Sequence, residues 1–425
     1  MAVHASPGVA IRRSGVEASA PRDRRGAEVA ICVALAGGIA FQVFQRMVNN
    51  GYELSPYGRS LWYVSYEFGF VRRGLAGELL RRLLGRTPTV PEVALVQNAI
   101  AVLTLAVAVL VVVVLCRQRT VIGYSLAALL VVSPFAFDFV GGSRRPDLVA
   151  FLLLAAVVVW VGTRATEPVL VGLTAGGLLA ASAFFSEAGP LVVGPWLVLV
   201  VAALARSRAR SRWESGTAML AAAVPSMVTL AALSFTGRAD RDMTASLEQV
   251  APLDVGGIGT VFPYLDDTLG VSVAKVLDRR PVLSLVVGAL LLAMMWFLAR
   301  RFEPGARALV RWVLPGRGAR LLWCAGLAGT TLLLFALGFD WMRWVTSIAL
   351  SAMLAAAAVV VLARDPATRP DGLDDWFAPV PTRAFLSARS IVVLGVGTYL
   401  LVLPPLPTAV RGIGQTARLL VNAPG

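Results

Sequence analysis

About eleven stretches of roughly 20 mostly apolar residues recur along this chain, and a run of that length is what a helix needs to cross a bilayer. They lie near 29–48, 93–116, 121–137, 147–163, 168–185, 189–206, 217–236, 281–300, 319–338, 343–363 and 390–405. Inside lipid only a helix or a closed barrel satisfies its own backbone hydrogen bonds. The expected fold class is therefore all-α, a polytopic transmembrane helix bundle of about 11 spans, within a range of roughly 10–12. The stretch from 168 to 206 reads either as two spans or as a re-entrant hairpin. In this reading residues 29–408 form the bundle, 1–28 a disordered cytoplasmic tail and 409–425 an outer C-terminal tail.

Composition closes off other classes. Charged residues make up 15% of the chain, against roughly 25% in soluble domains, so no segment reads as an independent soluble domain. The formal charge is +14, carried almost wholly by arginine, since Lys275 is the only lysine. A basic balance can point to nucleic acid, but these arginines sit in loops between apolar runs, where anionic membrane lipids are the simpler partner and no nucleic acid is expected. Cys32, Cys116 and Cys324 lie in or at the edge of spans without paired spacing, which suggests neither a disulfide framework nor a zinc site. His4 is the only histidine and lies in the N-terminal tail. That excludes a Ser-His-Asp triad and H-E-x-x-H metal chemistry, and no cofactor is expected.

Arginine placement sets the orientation. The short segments 117–120, 164–167 and 206–216, together with 301–318, fall on one side and are Arg-rich, as the positive-inside tendency requires of a cytoplasmic face. The expected location is the cell inner (plasma) membrane, multi-pass, with the N-terminus cytoplasmic. Segment 301–318 reads as a basic interfacial helix gripping anionic lipid, and 365–388, with Asp371, Asp374 and Asp375, as a cytoplasmic linker. Two long outer loops remain, 49–92 and 238–280. The first carries Arg59, Arg72, Arg73, Arg81, Arg82 and Arg86 against the rule, so its arginines are read as having work outside.

The outer face then collects Glu53, Glu67, Arg72, Arg73, Asp138, Arg144, Arg145, Asp147, Glu187, Asp340 and Arg343. Ionisable groups beside apolar spans are costly, so they tend to pair or to line cavities. In the first loop Leu75, Leu79, Leu80 and Leu83 make one helical stripe, with Glu78 and Arg81 opposite, which predicts an amphipathic interfacial helix lying on the membrane with Glu78 on its solvent side. If that helix starts early, Arg72 falls on the apolar stripe and needs an anionic partner such as phosphate. If it starts after Gly74, Arg72 and Arg73 contact headgroups. Gly141-Gly-Ser-Arg144-Arg145-Pro-Asp147 enters a span with residues that also suit ordinary capping. Ser186-Glu187-Ala-Gly-Pro190 breaks a long apolar stretch as a turn or as a buried site. Asp340-Trp-Met-Arg343 offers an i,i+3 ion pair or an interfacial anchor. Asp266-Asp267 has oxygen ligands for a divalent cation, but two adjacent carboxylates are too few to support a metal site.

One N-terminal span, a long outer loop with an acidic residue and an amphipathic helix, and then a many-span bundle resemble the GT-C class of membrane glycosyltransferases. The phrase Tyr66-Glu67-Phe-Gly-Phe-Val-Arg72-Arg73-Gly74-Leu75, with Arg145-Pro-Asp147, Glu187 and Asp340-x-x-Arg343, also resembles bacterial envelope-polysaccharide membrane proteins. The resemblance implies an inverting enzyme with a polyprenyl-phosphate sugar donor and a glycan or lipid acceptor. It implies Glu67 or Glu53 as general base, with Asp340 as a further candidate. Arg72, Arg73, Arg144, Arg145 and Arg343 would hold the donor phosphate, with Asp147 and Glu187 as further candidate residues of the substrate site. No Asp-Asp or Asp-Glu motif follows the first span, which departs from that pattern. A lipid-linked sugar flippase or transporter would also need a charged cavity, and a non-catalytic membrane subunit of an envelope assembly complex would need none.

Overall fold

The computed structural model describes residues 56–132, 146, 148–163, 167–208, 211–236, 239–251, 261–265, 267, 271–274, 303–337, 341–364, 369, 373–374 and 376–377. The predicted spans near 29–48, 281–300 and 390–405 lie outside the described residues, as do both tails. Among the described residues the regular elements are helical: α1 Pro56–Ser60, α2 Leu75–Leu84, α3 Val90–Cys116, α4 Val121–Val132, α5 Leu148–Thr163, α6 Pro168–Ser182, α7 Ala188–Arg208, α8 Arg212–Thr236, α9 Arg241–Val250, a 3-10 turn Phe262–Tyr264, α10 Glu303–Val313, α11 Arg317–Leu337 and α12 Trp341–Leu362.

Four of these, α3, α7, α8 and α11, are long and apolar enough to cross a membrane. At about 1.5 Å per residue, the 16 residues of α5 and the 15 of α6 reach only some 22–24 Å, short of the roughly 30 Å hydrocarbon core. The stretch from 168 to 206 is two helices, α6 and α7, with the Ser186-Glu187 break in the turn between them. Local chemistry fixes several ends. Thr89 and Glu92 close a capping box at the start of α3, with Pro91 in its first turn, which satisfies amides that have no partner within the helix.

The bundle is organised around α7, which packs against α5, α6, α8, α10, α11 and α12. Val192, Val193, Leu197, Val200, Val201 and Leu204 put it in the main apolar core. Trp323 Nε1 of α11 donates to the Pro195 carbonyl at 2.8 Å. In α10 the apolar face, Leu309, Trp312 and Val313, is buried in that same core while Arg307 and Arg311 stay exposed. The segment expected to grip anionic lipid as a basic interfacial helix thus packs its apolar face on protein and presents its basic face outward.

A second, smaller core adjoins the bundle at the start of α3, where Val93 is part of it and Ile100 touches both cores. Leu61, Trp62, Val64, Val71, Ala76 and Leu80 of the first long loop bury against Leu247 of α9 and Val261, Phe262 and Leu265 beyond it. The two long loops therefore form one cap. Ser60 Oγ accepts from Val261 N at 2.8 Å within the cap, and Gln97 Nε2 of α3 donates to the Gly58 carbonyl at 3.1 Å.

Helices α6 and α8 make the most extensive helix pair, because Gly172 and Gly176 let their backbones touch. A Cβ on Gly172 would collide with the Ala218 carbonyl, and one on Gly176 with the Ala221 carbonyl. Small residues four apart are the usual means of close helix approach in membranes. Gly176→Val should therefore lower the thermal stability of the detergent-solubilised protein, by about 1–3 kcal/mol or more, since a backbone carbonyl cannot move aside as a side chain can. Gly177→Ala, where an added Cβ meets nothing within 4 Å, should leave stability unchanged or raise it slightly.

Candidate functional site

Close packing of the first loop against itself sets the start of the site. A Cβ on Gly77 would strike the Val64 carbonyl, and one on Gly74 would strike the Tyr66 ring, so α2 lies directly on the 62–66 backbone. Gly69 takes φ +134°, which L side chains rarely adopt, to turn the chain between two phenylalanines. Tyr66 stacks on Phe70 at 5.4 Å, and Phe70 meets Phe184 edge-on at 6.3 Å. Phe184 belongs to the turn between α6 and α7, and its carbonyl accepts from Leu75 N at 3.3 Å. The helix begins after Gly74, so the early start that would place Arg72 on an apolar stripe does not occur.

Three of the candidate side chains meet at this junction. Arg73 Nε donates to Glu187 Oε2 at 2.7 Å, and Arg72 Nε lies 3.7 Å from Glu187 Oε1. Arg72 Nη2 also donates to the Tyr264 carbonyl at 2.9 Å and to the Asp267 carbonyl at 3.4 Å. Arg73 reaches Glu187 from a left-handed backbone, φ 67°, which costs a residue with a Cβ roughly 1–2 kcal/mol. Glu187 is only 19% exposed. Burial pushes its carboxyl upward, but the charges of Arg73 and Arg72, with hydrogen bonds from Arg73 and its own backbone amide, hold it below the ordinary value. One carboxylate thus joins the first loop, the α6–α7 turn and, through Arg72, the second loop.

The polar face of α2 points the opposite way from the expectation. Glu78, placed on the solvent side by the leucine stripe, is 3% exposed, while Leu83 is 82% exposed and Leu79 is also outward. Glu78 accepts from Tyr66 N at 3.2 Å, from Arg81 Nη2 at 3.2 Å and from Arg82 Nε. Burial pushes the Glu78 carboxyl up, and these donors pull it below the ordinary carboxylate value. Tyr66 moves the other way, pushed up to about 12 by burial and by the negative charge of Glu78. The reason for the reversal is the cap: Ala76, Gly77 and Leu80 meet the 61–64 segment, and Glu78 follows them inward because enough donors await it. The sequence signal was Glu78 followed by arginines at i+3 and i+4.

Glu67 is exposed and stands elsewhere in the cap. It lines a small cleft with Ser65, Arg81 and Thr87, walled by Trp62 and Leu247, and the closed part has room for little more than a water-sized group. Asp267 is buried, and its backbone carbonyl is what meets Arg72. Arg343 falls in the first turn of α12, with its side chain outside the described atoms. Glu53, Arg144, Arg145, Asp147, Asp266 and Asp340 lie outside the described residues. Among the described residues no three His, Cys, Asp or Glu side chains come together to hold a metal ion.

This chain belongs to the family described as uncharacterised membrane protein Rv1490, whose model matches residues 27–254. That stretch contains α2, α9, the Glu67 cleft and the Arg72–Arg73–Glu187 junction. Uncharacterized protein Rv1490 of Mycobacterium tuberculosis and uncharacterized protein Mb1527 of Mycobacterium bovis are each 33% identical over 183 residues. The match covers 41% of this chain and 41% of each relative. No solved structure matches.

The junction has a definite pH signature. The folded Glu187 carboxyl titrates below its ordinary value of 4.5, so its stabilising contribution is complete above that value and is lost as pH falls through the folded pKa. Limited proteolysis of the first loop in membranes should accelerate only as pH falls below the ordinary glutamate range. Glu187→Gln should show the accelerated cleavage at neutral pH. Its cost should be on the order of 2 kcal/mol, because Arg72 and Arg73 lose their carboxylate contact in a mostly buried place.

Proposed function

We propose that this family member is a multi-pass glycosyltransferase of the inner membrane, transferring a sugar from a polyprenyl-phosphate donor during cell-envelope glycan synthesis on the outer face. The observation that carries the reading is the Glu67 cleft. Of the described carboxylates in the phrase from Tyr66 to Leu75 and its partners, Glu67 is the accessible one, in a cleft lined also by Tyr63, Ser65, Thr87 and Arg81. Glu78 and Glu187 are engaged with arginines.

The chemistry follows from that placement. Glu67 removes the proton from an acceptor hydroxyl, whose oxygen attacks the anomeric carbon as the bond from that carbon to the phosphate oxygen breaks. The lipid phosphate leaves with the electron pair, and a guanidinium offsets its growing charge. Arg81 is the nearest candidate, held by Glu78. Arg72 and Arg73, outside the cleft lining, are held by Glu187 at the junction. Glu53 and Asp340 remain as other candidate bases, and Arg144, Arg145, Asp147 and Arg343 as other candidate donor contacts. The orientation is supported by charge asymmetry. The cap adjoins the N-terminal ends of α3 and α7, while Arg117, Arg119, Arg206, Arg208 and Arg212 gather at the opposite end, which the positive-inside tendency assigns to the cytoplasm.

A second reading has its own support. Glu187 neutralises Arg73 and Arg72 within the fold, which is what a non-catalytic membrane subunit of an envelope assembly complex would need from them. Glu67→Gln separates the two. Transfer from a polyprenyl-phosphate sugar, assayed in membranes at matched protein level, should fall about 10²–10⁴-fold. Asp242→Asn, an exposed carboxylate of α9 in the same cap, should retain activity. Glu78→Gln should instead lower the protein level, because it weakens a buried hub. Full transfer by Glu67→Gln would move the base to Glu53 or Asp340, and full transfer by all carboxylate variants would leave the non-catalytic reading.

A further inference from the structure

The outer stripe of α2 is an apolar face with a cation set in it. Leu79 and Leu83 stand one turn apart and are exposed, and Arg82, 74% exposed, lies beside them. Arg82 meets Glu78 through Nε, and among the described residues its two terminal nitrogens make no hydrogen bond to that carboxylate. Arg86, by contrast, closes both terminal nitrogens on Glu92, at 3.0 and 2.6 Å. The stripe also has a fixed position. α2 ends at Leu84 and the membrane-length α3 begins at Val90, with Leu95 of its first turns 70% exposed. An exposed apolar stripe so close to the lipid-facing start of a span lies at bilayer level.

We infer that α2 is seated in the membrane leaflet by anionic phospholipid, with Leu79 and Leu83 in the acyl boundary and the terminal nitrogens of Arg82 forked on a headgroup phosphate. The pairing follows from chemistry: apolar side chains leave water at the interface, and a guanidinium fork matches two phosphate oxygens. Because Arg82 also holds Glu78, and Glu78 holds Tyr66 and Arg81, the same lipid steadies the inner face of the helix and the wall of the Glu67 cleft. This inference is independent of glycosyl transfer.

The test uses full-length protein in nanodiscs, with Cys32, Cys116 and Cys324 replaced and a spin label at Leu83→Cys or, as a water-facing reference, at Asp242→Cys. Relaxation by oxygen and by a water-soluble nickel chelate reports depth. In discs of phosphatidylcholine with phosphatidylglycerol, the label at 83 should respond to oxygen over nickel and the label at 242 to nickel. The phosphatidylglycerol fraction that half-immobilises the label at 83 should rise about fivefold in Arg82→Gln, the loss of roughly one lipid-bound arginine. Three outcomes overturn the inference: a nickel response at 83 equal to that at 242, a phosphatidylglycerol dependence unchanged in Arg82→Gln, or protection from both reagents with spin–spin broadening, which would place a second copy on the stripe.

Discussion

A carboxylate in the break between two apolar helices has to be neutralised where it stands, and much of the described structure around the cap follows from how this chain does it. Glu187 cannot stay charged beside α6 and α7 without cations, and the cations come from more than a hundred residues earlier, at Arg72 and Arg73. Bringing them there fixes the path of the first loop. Arg73 accepts a left-handed backbone, Gly74 passes under the Tyr66 ring, and Leu75 takes the Phe184 carbonyl as it opens α2. Arg72 then reaches the carbonyls of Tyr264 and Asp267, so the second loop is tied to the same point.

The cap shows what local sequence carries and what it does not. The apolar run of α3 and the existence of α2 are local matters of hydropathy and periodicity and were legible in the sequence, whereas the Thr89–Glu92 capping box that starts α3 three residues ahead of the expected 93 is seen only in the structure. That the loops at 49–92 and 238–280 share one core is not local. Val64 and Phe262 are buried in the same core, yet neither loop carries a periodicity that names the other. The facing of α2 was misread for the same reason. A leucine stripe defines two faces but not which of them a neighbour will cover, and Ala76 and Gly77, small enough to admit the 62–64 backbone, mattered more than the larger leucines.

Glu187, Arg72 and Arg73 stand out in the sequence as charges beside apolar runs, and the principle that such charges pair is the one the structure obeys. The sequence could not say that they pair with each other. That pairing changes what each can do, because a guanidinium already bound to a carboxylate has fewer donors for a phosphate and a carboxylate held by two arginines is a poor base. Glu67 had the opposite history. Glu78, eleven residues on, has arginines at i+3 and i+4 that Glu67 lacks, but only the packing of α2 decides that Glu78 is enclosed and Glu67 open.

The distribution of donors also limits where an incoming phosphate can bind. To engage Arg73 it would have to displace Glu187 Oε2 from a 2.7 Å contact, leaving a mostly buried carboxylate that costs several kcal/mol when unpaired. Displacement would also release the strained backbone at Arg73 and loosen the attachment of α2 to the α6–α7 turn. A phosphate meeting the terminal nitrogens of Arg82 leaves the Nε contact of that arginine with Glu78 in place, whereas one on Arg81 would compete with Glu78 for Nη2. Anion chemistry on the described part of this cap is therefore cheaper on the α2 side, where Glu67 is open, than at the junction where the sequence concentrates its charges.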